Sequence, residues 1–124
     1  MEGTWKKSSN EGFEALFKAL NAEDMLSKLG DLQTTITING SEYTIERKRP
    51  NITTTNQFNI GEETEMNTIK DGLKPVCVAS LDGDKIVIKA KDYDYQNVIE
   101  VVDGKLKETF SSKGVSGVRW SEKV

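Results

Sequence analysis

Thr34-Thr35-Ile36-Thr37-Ile38-Asn39-Gly40-Ser41-Glu42-Tyr43-Thr44-Ile45-Glu46-Arg47-Lys48 is the stretch on which the fold turns. Ile36 and Ile38 alternate with threonines, and Tyr43, Ile45 and Arg47 alternate with Thr44, Glu46 and Lys48. Between them Asn39-Gly40 predicts a type I′ hairpin turn. Arg49-Pro50-Asn51 breaks the run. The same grammar continues downstream, with turn signals at Asp71-Gly72, Asp82-Gly83, Asp103-Gly104 and Lys113-Gly114. Between these lie segments rich in Val, Ile and Thr: Val76 to Leu81, Lys85 to Lys89, Val98 to Val102, Lys105 to Phe110 and Val115 to Trp120. With Thr4 to Ser8 as an opening strand, the pattern predicts about ten strands in an antiparallel meander. An open meander of that length would carry two bare edges, which closure into an up-and-down barrel removes.

Upstream of Asp31 the period is helical instead. Phe13, Leu16, Phe17, Leu20, Met25, Leu26 and Leu29 make one apolar stripe, interrupted by Asn21-Ala22-Glu23-Asp24 and ended by Gly30. Two short helices joined by a tight turn are predicted over about residues 12–30. The expected class is therefore mainly β, a ten-stranded antiparallel barrel capped by a helix-turn-helix, with residues 1–124 as a single domain.

Composition narrows the chemistry. The 124 residues are 35% hydrophobic and 30% charged, with ten Gly, two Pro, one Cys, no His and a net charge of -3. No run of about 18 apolar residues could span a bilayer, and Met1 to Lys7 lacks the apolar core of a secretory signal. The net negative charge argues against nucleic acid as a partner. One cysteine, Cys77, permits no internal disulfide and suits a reducing, cytoplasmic setting; its apolar strand predicts a buried thiol. Without histidine there is no Ser-His or Cys-His pair, zinc loses its commonest ligand, and no Gly-rich phosphate loop is present. No metal, cofactor or enzymatic activity is expected.

The strand interiors carry the functional clue. Many inward positions are Thr, Ser, Asn or charged, and large aromatics are scarce, so the barrel is expected to be hollow and partly wet. The run Glu46-Arg47-Lys48-Arg49 is read as a solvated strand end rather than an import or phosphate-binding signal. Asn39-Gly40-Ser41 and Asn51-Ile52-Thr53 are formal glycosylation sequons, expected to stay unmodified.

Three blocks tie the chain to a known group: Gly3-x-Trp5 with Gly12-Phe13-Glu14-x-Leu16 and Leu20; Thr55-Asn56-Gln57-Phe58-Asn59-Ile60-Gly61-Glu62-Glu63; and Gly104-Lys105-Leu106-x-Glu108-Thr109, Lys113-Gly114-Val115 and Arg119-Trp120-Ser121-Glu122-Lys123-Val124. With these the chain resembles the intracellular lipid-binding (fatty-acid-binding protein) family along essentially its whole length, most of all the branch of liver-type fatty-acid-binding and bile-acid-binding proteins. Lys7 departs from the pattern at a position that is usually apolar. About three residues are missing before Thr34. The resemblance implies a lidded ten-stranded barrel whose cavity binds one or two amphipathic carboxylates without catalysis.

It also assigns residues. Arg119 matches the carboxylate-binding arginine, and Ser121 shares its strand face by the period of two. The pair matches the liver-type Arg-x-Ser pattern, not the Arg-x-Tyr branch, and Ile99 replaces that branch's second cavity arginine. Thr34 matches a ligand-contacting hydroxyl; Asn56, Phe13, Phe58 and Met66 match cavity-lining positions. Glu108 matches the bile-acid-binding members, and a carboxylate there would compete for Arg119, which favours a ligand with extra hydroxyls. The expected partners are a long-chain fatty acid, a bile acid or a similar hydrophobic ligand, and a monomer is expected. Lys6, Lys18 and Lys28 would allow the lid to touch anionic membranes transiently. The alternatives are a barrel that binds protein or nucleic acid on its outer face, which calls for an exposed aromatic or basic stripe this sequence lacks, and an enzyme built on Glu108, which calls for turnover of a bound ligand.

Overall fold

In the computed structural model, which describes residues 1–124, ten strands form one antiparallel sheet that wraps almost into a closed barrel. They are β1 (Gly3–Glu11), β2 (Gln33–Asn39), β3 (Glu42–Lys48), β4 (Thr53–Asn59), β5 (Glu63–Glu65), β6 (Val76–Asp82), β7 (Lys85–Ala90), β8 (Gln96–Val102), β9 (Lys105–Ser112) and β10 (Val115–Lys123). The hydrogen-bonded order is β4-β3-β2-β1-β10-β9-β8-β7-β6-β5, so the first and last strands pair and a gap separates β4 from β5. Across that gap Asn56 Nδ2 donates to the Asn67 carbonyl at 3.0 Å, and the Asn67 amide donates to Asn56 Oδ1 at 2.8 Å. Side-chain hydrogen bonds here stand in for a missing ladder.

Cross-strand pairing shifted the first hairpin away from the expected turn. Its two-residue loop is Gly40-Ser41, with a positive φ of 64° only at Gly40, the pattern of a type II′ turn. The register that results sets Ile36 opposite Ile45 and Ile38 opposite Tyr43. An Asn39-Gly40 loop would instead set Ile38 opposite Ser41, so apolar pairing decides the register. The expected type I′ geometry, with positive φ at both loop residues, is found at Asp103-Gly104 and Lys113-Gly114.

The lid is α1 (Phe13–Ala19) followed by a 3-10 helix at Glu23–Lys28. Both short helices expected are present, the second as a 3-10 helix. Ala22 offers no capping side chain, and Met25 is its one fully buried residue, too little packing to hold a short regular helix. α1 buries Phe13, Leu16 and Phe17 onto the end of the barrel. Gly117 on β10 makes that seat possible: a Cβ there would lie 2.6 Å from Phe13 and 3.1 Å from Leu16. Gly12, with φ of +71°, swings the chain from β1 into the helix.

Candidate functional site

Inside the barrel the wall is mixed: Ile36, Ile45, Phe58, Ile86, Ile99 and Leu106 are buried, and so are the polar Thr34, Asn97, Glu108, Ser112, Arg119 and Ser121. Ile99 faces Glu108 and Leu106 faces Ser121 across neighbouring strands. A cavity of about 450 Å³ is lined by Asn10, Arg47, Asn56, Tyr95, Asn97, Phe110 and Arg119, and at its mouth by Met25, Leu29, Ile52 and the segment 67–72. Its size is that of a small-molecule site. Six cationic side chains line it (Lys7, Arg47, Arg49, Lys70, Lys74 and Arg119) against two acids, Asp71 at the mouth and Glu108 behind Arg47 and Arg119, in a chain whose net charge is -3. Positive charge is concentrated inside, in a low-dielectric enclosure where it attracts anions most strongly.

The hairpin register sets Arg119 on β10 directly opposite Glu108 on β9, and Asn10 on β1 opposite Arg119. The tightest contact of Glu108, however, comes from across the lumen. Arg47 Nη1 and Nη2 donate to its two carboxylate oxygens at 2.9 and 2.6 Å, a bidentate pair. Arg119 Nη1 lies 3.7 Å from Glu108 Oε2, beyond hydrogen-bond reach. Its Nε is buried with no partner, as are Asn97 Oδ1, Asn10 Oδ1 and Thr34 Oγ1. The guanidinium is wedged between aromatic rings, 5.1 Å from the centroid of Phe110 and 5.6 Å from that of Phe13.

Charge states follow from these contacts. Burial pushes the Glu108 carboxyl up, but the charge and hydrogen bonds of Arg47, with help from Arg119 and Asn97, overcome it and hold the group below its usual range. Burial, reinforced by the Arg47 cation and opposed by Glu108, pushes Arg119 down to about 10, so it keeps its charge at neutral pH. Burial and the nearby Arg119 also lower Lys7, whose ammonium donates to the Gly30 carbonyl beneath the lid. Burial raises the phenol of Tyr95, which stays neutral and accepts from the Ile69 amide at 3.3 Å.

Of the residues expected from sequence, Arg119 and Asn56 line the cavity, and Asn56 also holds the β4–β5 gap. Ser121 and Thr34 are buried, Ser121 on the inward face it shares with Arg119 and Thr34 opposite Arg47. Phe13 backs Arg119 from the lid, while Phe58 stacks on Tyr43 at 5.9 Å. Met66 is buried where its amide bonds the Pro75 carbonyl. The Glu46-Arg47-Lys48-Arg49 run is not a uniformly solvated strand end. Arg47 points into the lumen, and Arg49 pairs with Asp71 at 2.8 Å at the cavity mouth. Several cavity-lining residues were missed, among them Asn10, Tyr95, Asn97, Arg47 and Phe110, and for the last two a signal existed. Their signal was the strand period: Arg47 shares a face with Tyr43 and Ile45, and Phe110 with Glu108.

Fold and site together define a lidded antiparallel β-barrel with a cationic internal cavity. The family model for the lipocalin / cytosolic fatty-acid binding proteins matches residues 1–124, and the chain belongs to that family. It is 30% identical over 125 residues to the liver fatty acid-binding protein of Schroederichthys bivius, covering 98% of this chain and 97% of that one. It is 35% identical over 104 residues to the liver-type fatty acid-binding protein of Takifugu rubripes, covering 82% and 81%. Among solved structures, the zebrafish ileal bile acid-binding protein complexed with cholic acid superposes with a TM-score of 0.83 at 34% identity, covering 99% of this chain and 98% of that one.

Proposed function

We propose that this protein is a non-catalytic carrier that encloses a fatty acid or bile-acid-like amphipathic carboxylate in the barrel, its acid group at Arg119 and its apolar body toward the lid. The observation that carries the reading is Arg119 itself, a charged guanidinium buried beside the cavity with an unpartnered Nε. A buried cation with spare donors is costly unless an anion completes it, and a carboxylate fits that donor set in a bidentate way. Ser121, Thr34, Asn97 and Asn10 supply further polar contacts close by, directly or through water. Phe13, Phe58, Met66 and Asn56 are assigned to the ligand's surroundings, and Glu108 to the polar network.

Energetics allow it. Burying about 16 methylenes gains roughly 13 kcal/mol, and association costs roughly 4–15 kcal/mol before the head-group contact is added, which reaches micromolar to nanomolar affinity. The similarity to fatty acid-binding and bile acid-binding relatives supports both ligand classes. A reducing, cytoplasmic location fits the lone buried Cys77, and the protein is assigned as a monomer that touches membranes only transiently through its lid lysines.

The test is calorimetric titration of delipidated protein with oleate and, separately, with a bile salt. Saturable binding of either is expected, the tighter ligand naming the branch. Silence for both would overturn the carrier reading.

A further inference from the structure

Glu108 is a problem for a carboxylate carrier. It sits fully buried on β9, directly opposite Arg119 on β10, the register in which neighbouring strands ordinarily form an ion pair. A permanent internal carboxylate at that distance should occupy the guanidinium meant for the ligand. Yet the two meet only as a loose ion pair at 3.7 Å, with no hydrogen bond between them, and Arg119 Nε has no partner. What draws Glu108 away is Arg47, which reaches across the lumen from β3, a strand separated from β9 in the sheet by β2, β1 and β10. Both oxygens of Glu108 are taken by the two Arg47 Nη groups, so nothing local to the β9–β10 hairpin dictates this arrangement.

We propose that Arg47 is a specificity-determining residue of this cavity: by holding both Glu108 oxygens across the lumen, it keeps Arg119 uncommitted and available for a ligand carboxylate. The proposal rests on the assignment of Arg119 to the ligand's acid group. Arg47 acts through Glu108 and is a positioning residue, whose loss leaves Arg119, a short side-chain movement away, as the one remaining cation beside Glu108, with Asn97 as its neutral hydrogen-bond partner. The site then becomes internally neutralised, and an incoming carboxylate must displace Glu108 to bind. An uncharged analogue of the same length meets no such competition. Arg47 therefore sets the preference for acid over alcohol, not the affinity for the apolar body.

The experiment measures dissociation constants for oleate and oleyl alcohol on the wild type, Arg47→Met, and the double variant Arg47→Met/Glu108→Leu, with circular dichroism to confirm folding. Replacing a buried ion pair by apolar residues of similar size is commonly tolerated, so the double variant is the secure arm. Arg47→Met is expected to lower the oleate-to-alcohol preference by about tenfold or more, the scale of one charge-assisted contact. The double variant, with the competing carboxylate gone, is expected to restore it to near the wild-type value. A merely structural role for Arg47 would weaken both ligands alike and would not be rescued by removing Glu108. If Arg47→Met proves unfolded, Arg47→Lys, which grips one oxygen, is expected to show an intermediate loss. A preference that stays constant in the single variant, or that remains lost in a folded double variant, overturns the inference. If the wild type shows no preference for oleate over the alcohol, the assignment of Arg119 fails as well.

Discussion

Arg119 and Glu108 are bound to one another by register and kept apart by a third residue, and each makes a measurable prediction. Arg119→Ala should weaken oleate by about tenfold or more while costing oleyl alcohol far less, because one charge-assisted contact is lost and the apolar contacts persist. Equal losses for the two ligands in paired titrations would remove Arg119 from the head-group role. Glu108 speaks to stability. Its carboxyl is held below its usual range in the folded chain, so its contribution is complete above the unfolded value of about 4.3 and is lost as pH falls through the lower folded value. Glu108→Gln, which half-breaks a buried pair, should cost about 2–4 kcal/mol near pH 7, with the gap to wild type closing below about pH 4. Chemical denaturation across that range checks it; a gap constant with pH would mean that Glu108 is not ionised in the native state.

Among the elements, the strands were far more legible than the lid. Alternation and turn signals located eight of the ten strands because each face is committed to core or solvent, and a one-residue slip would invert both; the polar β4 and the three-residue β5 carry no such alternation and were counted without being placed. The second helix was foreseen but not its 3-10 form, because an apolar stripe reports which face is buried, not whether an uncapped six-residue segment can hold α geometry. Arg47 was misread for a different reason: four charged residues in a row look solvated, although the period of two already aligned it with Tyr43 and Ile45. The partnership of Arg47 with Glu108 could not be read at all, since barrel closure and not hairpin register brings β3 to β9. The lid's attachment gives the element-scale prediction. Gly117→Ala places a methyl 2.6 Å from Phe13, so α1 must lift from β10. A loss of about 1–3 kcal/mol is expected, with α1 amides exchanging hydrogen earlier than those of the barrel strands. Unchanged exchange in α1 would show that the Phe13 ring yields instead.

For the whole molecule, the order of strands around the barrel has an unexploited property. The chain ends meet where the Val124 amide donates to the Thr4 carbonyl at 3.0 Å, and the one unladdered seam lies between β4 and β5, which a tight turn at residues 60–62 connects. Joining the two ends with a short linker and cutting at that turn would rewrite the connectivity as β5 through β10, then β1 through β4. Every laddered pair would then be sequence-adjacent, and the pairing of Trp5 with Lys123 would span a linker instead of nearly the entire chain. Since folding slows as contacting residues grow more distant in sequence, such a circular permutant should reach the same native barrel faster than the parent. Stopped-flow refolding of the two would show it, and an equal rate would mean that closing β1 onto β10 is not the step that limits assembly.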